Sequence, residues 1–450
     1  MNNRFVIIGG DAAGMSAASK ARREDSELEI IVLEKSKWAS YAACGLTYYI
    51  KGDIGELEDL RAIPPDRFRK ERRIDLRLHH EVTRIDPQNK KISIKTNDGY
   101  IEIDYDQLLI STGAKSLIPE IEGIQSPGVF ALHSMESAAR IKQFLHSASP
   151  RSVVIIGGGY IGIEMAEALY ARGIKVSLVE MLPHVLNSFG SEITEVLENQ
   201  LQKQVKFYLG ETVQNIQPLD RNKLVLKTDK NQFDTEMVIL AVGVTPEVLL
   251  AKEAGIRLGS TGAIANDEYG RTNFPDIFTA GDCAEVKNII TGKSDYIPLA
   301  LTANRHGRAI GKTVAGKPSP LKPVAGTAVV KAFHLEVART GIVEEKVAEK
   351  HGFHPIKVTI DSHSRAGYYP ESKPIKISLL ADRKSKQVLG AAMLGEEGIA
   401  KRIDTVATAL YGKFNTEQLE NLDLAYSPPF SPVWDPVLIA ARVLNKKIKK

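Results

Sequence analysis

Cys44 stands in the stretch Ser40-Tyr41-Ala42-Ala43-Cys44-Gly45-Leu46, and the 450-residue chain has only one other cysteine, Cys283. A dithiol redox centre needs a second cysteine roughly five residues away, near enough to close a ring with the first. None is there. Redox chemistry at Cys44 must therefore run through one thiol, as a mixed disulfide, a persulfide or a sulfenic acid. A helix expected over Gly45 to Ile50 would lower the thiol pKa through its dipole and leave a thiolate as the resting nucleophile.

The elements that position such a thiol can be read on either side of it. Phe5-Val6-Ile7-Ile8 is a β-branched run entering Gly9-Gly10-Asp11-Ala12-Ala13-Gly14. A helix-like stretch from Met15 to Arg23 and a strand, Glu29-Ile30-Ile31-Val32-Leu33, ending at Glu34 complete the unit. Strand, glycine turn, helix and strand closed by an acid form a dinucleotide-binding βαβ unit: the turn admits a pyrophosphate and the acid accepts from a ribose hydroxyl. One residue departs from the glycine pattern, since Asp11 replaces its middle glycine. The pattern recurs without departure in Ser152-Val153-Val154-Ile155-Ile156 and Gly157-Gly158-Gly159-Tyr160-Ile161-Gly162, followed by a helix to Arg172 and a strand from Lys175 to Val179 ending at Glu180. No arginine follows Glu180 in Met181-Leu182-Pro183-His184, which favours NADH over NADPH at this second unit.

A third motif, Thr279-Ala280-Gly281-Asp282-Cys283-Ala284, offers an aspartate for a ribityl hydroxyl. With Ser111-Thr112-Gly113-Ala114 and Ala241-Val242-Gly243-Val244-Thr245-Pro246, it makes the chain resemble the pyridine nucleotide-disulfide oxidoreductase family over nearly its whole length. The resemblance implies an α/β fold with two tandem Rossmann-like dinucleotide-binding domains and a C-terminal α+β dimerisation domain. FAD is then expected on 1–118 and 246–322, NAD(P)H on 119–245, and dimerisation through 323–450. It places FAD against Gly9, Gly10, Ala13, Gly14, Glu34, Val82, Thr112, Gly113 and Asp282. NADH or NADPH falls to Gly157, Gly159, Tyr160, Ile161, Gly162, Glu180 and Gly243. Cys283 looks structural.

Within the family, the Ser40–Tyr49 segment resembles the single-cysteine branch, which contains coenzyme A-disulfide reductases, NADH-dependent persulfide and polysulfide reductases, NADH oxidases and NADH peroxidases. Cys44 is then expected against the flavin, whose charge-transfer interaction further favours the thiolate. The oxidases and peroxidases carry a histidine in the first glycine motif, where this chain has Ala12. His363-Ser364-Arg365-Ala366-Gly367-Tyr368-Tyr369-Pro370 and Ala425-Tyr426-Ser427-Pro428 resemble the two tyrosine segments of the coenzyme A-disulfide reductases, which reach the active site from the partner subunit. A lone cysteine cannot expel a second thiol by closing a ring, and a phenol of pKa ~10 suits protonation of the departing thiolate. The resemblance thus makes Tyr426 the proton donor and Tyr368 the assisting hydroxyl, ahead of Tyr369. Coenzyme A, as the substrate moiety, would be held by Arg22, Ser40, Tyr41, Arg61 and Lys70. Two residues depart from the branch: Thr47 where a proline is common, and Ala43 before the cysteine, and both bear on substrate identity. The competing readings are an NADH oxidase or peroxidase using a Cys44 sulfenic acid, and a flavoprotein redox sensor in which Cys44 and Tyr426 stand idle.

Bulk properties exclude other classes. A net charge of +4 is too small to argue for nucleic acid, although Arg67, Arg69, Lys70, Arg72 and Arg73 form a basic cluster near Cys44 suited to an anionic ligand. The tail Lys446, Lys447, Lys449 and Lys450 reads as a solvated surface. No apolar run approaches the roughly 20 residues that cross a bilayer, no metal-ligand spacing occurs, and no signal-peptide pattern opens the chain, so a cytoplasmic enzyme is expected. Lys317-Pro318-Ser319-Pro320 reads as a linker to a segment with strands near 326–333, 356–361 and 375–381 and helices near 399–411 and 433–444. No appended sulfurtransferase domain and no repeat beyond the paired βαβ units are expected.

Overall fold

A computed structural model describes residues 3–220 and 223–449; Lys450 of the basic tail lies outside them. The first glycine unit builds a five-stranded sheet in the order Ile277–Thr279, Gln107–Ile110, Arg4–Ile8, Glu29–Glu34, Asp75–Leu78, with every pair parallel. Its central strands are near-continuous apolar runs because both faces are covered. Helix Ala12–Glu24 packs on one face, and helix Ala300–Val314 packs on that helix.

The second unit repeats the plan. Val205–Leu209, Lys175–Glu180, Ser152–Ile156, Met237–Leu240 and Val129–Ala131 form another five-stranded parallel sheet. In each unit the third parallel strand leads into a three-stranded antiparallel meander, Glu81–Asp86 to Gly99–Asp104 in one and Val213–Asp220 to Gln232–Thr235 in the other. The repeat therefore extends beyond the βαβ core to the meander and the strand after it, against the narrower expectation. The sequence hid this because the two meanders share alternation and turns but no motif.

The C-terminal sheet is antiparallel, ordered Ala328–Ala332, Leu335–Gly341, Val388–Gly395, Pro374–Asp382, Pro355–His363. Helices Ile399–Tyr411 and Pro436–Ile448 share its apolar core. Leu335–Gly341 and Val388–Gly395 were not anticipated. The second, Val-Leu-Gly-Ala-Ala-Met-Leu-Gly, is buried at every position, so it lacks the alternation that marks a half-exposed strand.

Candidate active site

Backbone hydrogen bonds fix the Cys44 loop. Ser40 N–H donates to Gly10 O at 2.8 Å, Tyr41 N–H to Asp11 Oδ1 at 3.1 Å, and Ala42 N–H to Leu60 O at 2.7 Å. Ser40 takes a left-handed backbone, φ 52°, to turn the chain between the first two. Cys44 then lies in a short 3₁₀ turn, Ala43–Gly45, ahead of the redox helix Leu46–Lys51. Gly45 packs closely there, since a Cβ on it would sit 2.2 Å from Leu60 Cδ2 and that side chain would have to move. Cys44 is exposed while Cys283 is fully buried, with its Sγ 3.5 Å from Ile110 O and Ala280 O.

The polypeptide does not lower the Cys44 pKa. Although the residue presents an exposed surface, partial desolvation of its sulfur by the surrounding chain comes first, and Glu164, Asp282 and Asp11 add to it in pushing the thiol up. The expectation from the helix dipole is corrected: the helix has only six residues with Gly45 as its N-cap, and desolvation, followed by three acids, raises the thiol instead.

Glu164 is the first of those acids. It lies on the second glycine helix, Tyr160–Ala171, accepts from Thr47 Oγ1 at 3.2 Å, and is pushed by burial up to about 6. One turn along, buried Glu167 accepts from Lys51 Nζ at 3.2 Å and Phe333 N at 2.8 Å and pairs with Lys331. It thereby joins the redox helix, the second glycine helix and the C-terminal sheet.

The two nucleotide turns match atom for atom. A Cβ on Gly14 would fall 2.0 Å from Gly9 O, and one on Gly162 2.0 Å from Gly157 O, so each helix starts hard against its strand. Glu34 accepts from Gly10 N at 2.9 Å and Ser36 N at 2.9 Å, and Glu180 from Gly158 N at 2.6 Å and Leu182 N at 2.8 Å. Each acid is thus oriented at the lip of its turn. Asp11, the N-cap of the first glycine helix, makes no side-chain cap bond, so that helix presents open N–H groups to an anion. Asp282 lies in the turn after Ile277–Thr279, and nearby Tyr296 has a buried hydroxyl with no protein partner. Open amides, oriented acids and an orphaned phenol fit a bound FAD. Val82 is the second residue of the meander strand Glu81–Asp86, beside a bulge and half-buried. Thr112 gives its hydroxyl to Glu247 O at 2.6 Å and Gly113 O accepts from Glu247 N at 2.9 Å, leaving the Thr112 backbone to face a cofactor. Gly243 and Gly113 flank the paired crossing strands Ala114–Ser116 and Val244–Pro246. Tyr160 stacks edge-on against Phe189 at 5.5 Å, and burial raises its phenol pKa.

The basic residues divide. Arg22 donates to Arg72 O at 3.1 Å and Arg73 O at 2.8 Å, and Arg72 to Ser19 Oγ at 2.7 Å. Ser19, Arg22, Arg23, Ser26, Glu71, Arg72 and Arg73 line a cleft of about 350 Å³. Arg61 instead stacks over Trp38 at 4.9 Å and pairs with Tyr41 by a β-bridge. Lys70 points outward, with its side chain 78% exposed and paired with Asp66. Arg72 and Arg73 were read only as part of a charge cluster; their pairing with Arg22, some fifty residues away, carries no sequence signal. Tyr368 and Tyr426 come together with their hydroxyls 3.2 Å apart, on exposed segments tied by Ala366 N to Pro428 O at 3.2 Å. The Tyr368 hydroxyl raises the Tyr426 pKa, which keeps that phenol protonated. Among the described residues neither phenol bonds to the Cys44 loop of the same chain.

With this geometry in place, comparison with known proteins is decisive. The pyridine nucleotide-disulphide oxidoreductase family matches residues 3–307, and that family's dimerisation domain matches 327–436. The chain belongs to this family. Its members use FAD and NAD(P)H. A Pyrococcus horikoshii protein named NAD(P)H coenzyme A polysulfide/persulfide reductase is 39% identical over 446 residues, covering 99% of each chain. A Methanocaldococcus jannaschii protein named NADH oxidase is 35% identical over 451 residues, again covering 99% of each. The crystal structure of reduced CoADR-RHD from Bacillus anthracis superposes with TM-score 0.96 at 36% identity, over 100% of this chain and 81% of that one. Among the described residues no helix is long and apolar enough to cross a membrane.

Proposed function

We propose that this oxidoreductase reduces coenzyme A disulfide, or coenzyme A persulfide or polysulfide, with NADH favoured over NADPH, through a mixed disulfide on Cys44. The observation that carries the reading is an exposed thiol fixed against the first nucleotide turn while the only other cysteine is sealed in the core. FAD, held by 1–118 and 246–322, supplies two-electron transfer from NAD(P)H, held by 119–245, to sulfur.

The chain's own groups do the rest. The Cys44 thiolate attacks one sulfur of R-S-S-R, forming Cys44-S-S-R and breaking the original S–S bond. The departing RS⁻ takes a proton from Tyr426 of the partner subunit, oriented by its neighbouring Tyr368 hydroxyl; dimerisation through 323–450 is what delivers it. Ser40 and Tyr41, whose backbones are locked to the first glycine turn, form the wall along which the thiol arm runs. The Arg22, Arg72 and Arg73 cleft suits the phosphates of a nucleotide handle, and Arg61, bridged to Tyr41, stands beside the Cys44 loop. Most of the acceleration comes from holding the sulfur atoms in line.

An NADH oxidase is the second reading, favoured by the name of the Methanocaldococcus relative. Against it stands Ala12, which offers no side chain to steady a sulfenic acid. The test follows NADH and NADPH oxidation with coenzyme A disulfide, coenzyme A persulfide, glutathione disulfide and oxygen. Preference for the coenzyme A compounds, lost in Cys44→Ser, supports the proposal. Equal rates with glutathione disulfide, or full activity in Cys44→Ser, would sink it.

A further inference from the structure

Asp11 occupies the middle position of the first glycine motif, where the second motif has Gly159. A Cβ on Gly159 would meet nothing within 4 Å, so this turn has room for a side chain. An aspartate at a helix N-cap ordinarily accepts from the second or third amide of the first turn. Asp11 bonds neither, and its nearest helical amide is that of Ala12. With φ −112° and ψ −151° it makes no cap bond, and its Oδ1 instead accepts from Tyr41 N at 3.1 Å, three residues before Cys44. The adjacent bond from Ser40 N to Gly10 O, 2.8 Å, makes a double attachment between the phosphate turn and the redox loop.

We propose that Asp11 is a positioning residue that ties the Cys44 loop to the turn holding the FAD pyrophosphate, and that it carries a proton while the pyrophosphate is bound. The proposal rests on the family's use of FAD. The charged groups acting on Asp11 are both acids, Glu34 at the end of its strand and Asp282 in the turn after Ile277–Thr279. Tyr41 and Cys44 are the other titratable neighbours, each pushed up in turn by Asp11. From helix Ala300–Val314 the contact at this point is Gly307 against Ala13, which brings no charge. Burial, opposed by the Tyr41 and Ala12 amides and aided by these acids, pushes the carboxyl up to about 7. A pyrophosphate at the same helix end adds negative charge, so binding takes up a proton. A neutral carboxyl would have a proton to offer a phosphate oxygen while Oδ1 keeps Tyr41 N–H. The helix amides left free by the missing cap bond remain for the other phosphate oxygens.

The sign follows. Because the carboxyl pKa is higher with FAD bound than without, FAD affinity is flat below about pH 7 and falls about tenfold per pH unit above it, until the bound-state pKa is reached.

The test uses the full-length protein as wild type, Asp11→Asn and Asp11→Gly. FAD affinity is read from flavin fluorescence released on dilution between about pH 6 and about pH 9, and loop tethering from the alkylation rate of Cys44 in the FAD-loaded protein. The wild type should show the slope. Asp11→Asn, which keeps an oxygen for Tyr41, should bind FAD without a pH slope and alkylate at the wild-type rate. Asp11→Gly, the motif's usual residue, should lose the slope and alkylate several-fold faster. The wild-type slope persisting in Asp11→Asn, or an unchanged alkylation rate in Asp11→Gly, would overturn the proposal. A wild type that binds no FAD at any pH would overturn the cofactor reading itself, and the proposal with it.

Discussion

At the residue scale, three acids act on the one exposed thiol. Glu164 comes first among the charges that raise the Cys44 pKa, and it is itself pushed by burial up to about 6. Glu164→Gln removes the charge and keeps an oxygen for Thr47, so the Cys44 pKa should fall and its alkylation at neutral pH should quicken several-fold. A stopped-flow alkylation profile against pH checks this; an unchanged profile would remove Glu164 from the account. The same substitution has a stability consequence of known sign. A carboxyl whose folded pKa lies above its unfolded value favours folding at low pH, and that advantage is lost as pH rises through the folded value. Glu164→Gln should therefore raise thermal stability above about pH 6 and leave it unchanged near about pH 4, by at most about 2 kcal/mol before solvent screening. Cys44 itself was legible in the sequence because a missing partner is a sequence fact. The three acids around it were not, since Asp11, Glu164 and Asp282 come from distant segments and meet only in the fold.

At the scale of elements, the redox helix is held where two nucleotide-binding units and the C-terminal sheet meet. Thr47 stands at its second helical position, where an N–H has no intrahelical partner, so proline is compatible there. Thr47→Pro should fold, but it removes the hydroxyl that lowers the Glu164 pKa. The carboxyl should then titrate above about 6, observable as a displaced inflection in the Cys44 alkylation profile. The end of the second unit's strand makes a separate claim. Glu180 is oriented by two amides, with Met181 exposed beside it. Glu180→Ala combined with Met181→Arg should raise the NADPH-to-NADH ratio of kcat/KM by about tenfold or more, as steady-state kinetics would measure. Both glycine units were legible because a turn that must admit a pyrophosphate restricts residue types at fixed spacing. The basic cleft was half legible: Arg22 was named, whereas Arg72 and Arg73 reach it only through the packing of their segment beneath the first glycine helix.

At the scale of the whole molecule, the account requires two chains. Tyr368 and Tyr426 pair with each other on an exposed face that also presents Phe430 and Val433, 79% and 63% exposed, as expected of a surface a second copy covers. If Tyr426 serves the partner's Cys44, then Cys44→Ser and Tyr426→Phe chains complement each other. Randomly mixed dimers should recover about a quarter of wild-type activity, since half are heterodimers with one complete site of two. Recovery no greater than the sum of the separate variants would place the donor in the same chain. The fold class was readable across the whole length, but the extended repeat and two strands of the C-terminal sheet were not, because fully buried or motif-free strands leave no periodic trace.

The most direct measurement is an intact mass of the protein after coenzyme A disulfide is added without reductant, repeated after NADH. The account predicts one coenzyme A per chain in disulfide linkage to Cys44, released by NADH and absent in Cys44→Ser. A chain that turns over coenzyme A disulfide with no adduct on Cys44, or with the adduct elsewhere, would contradict it.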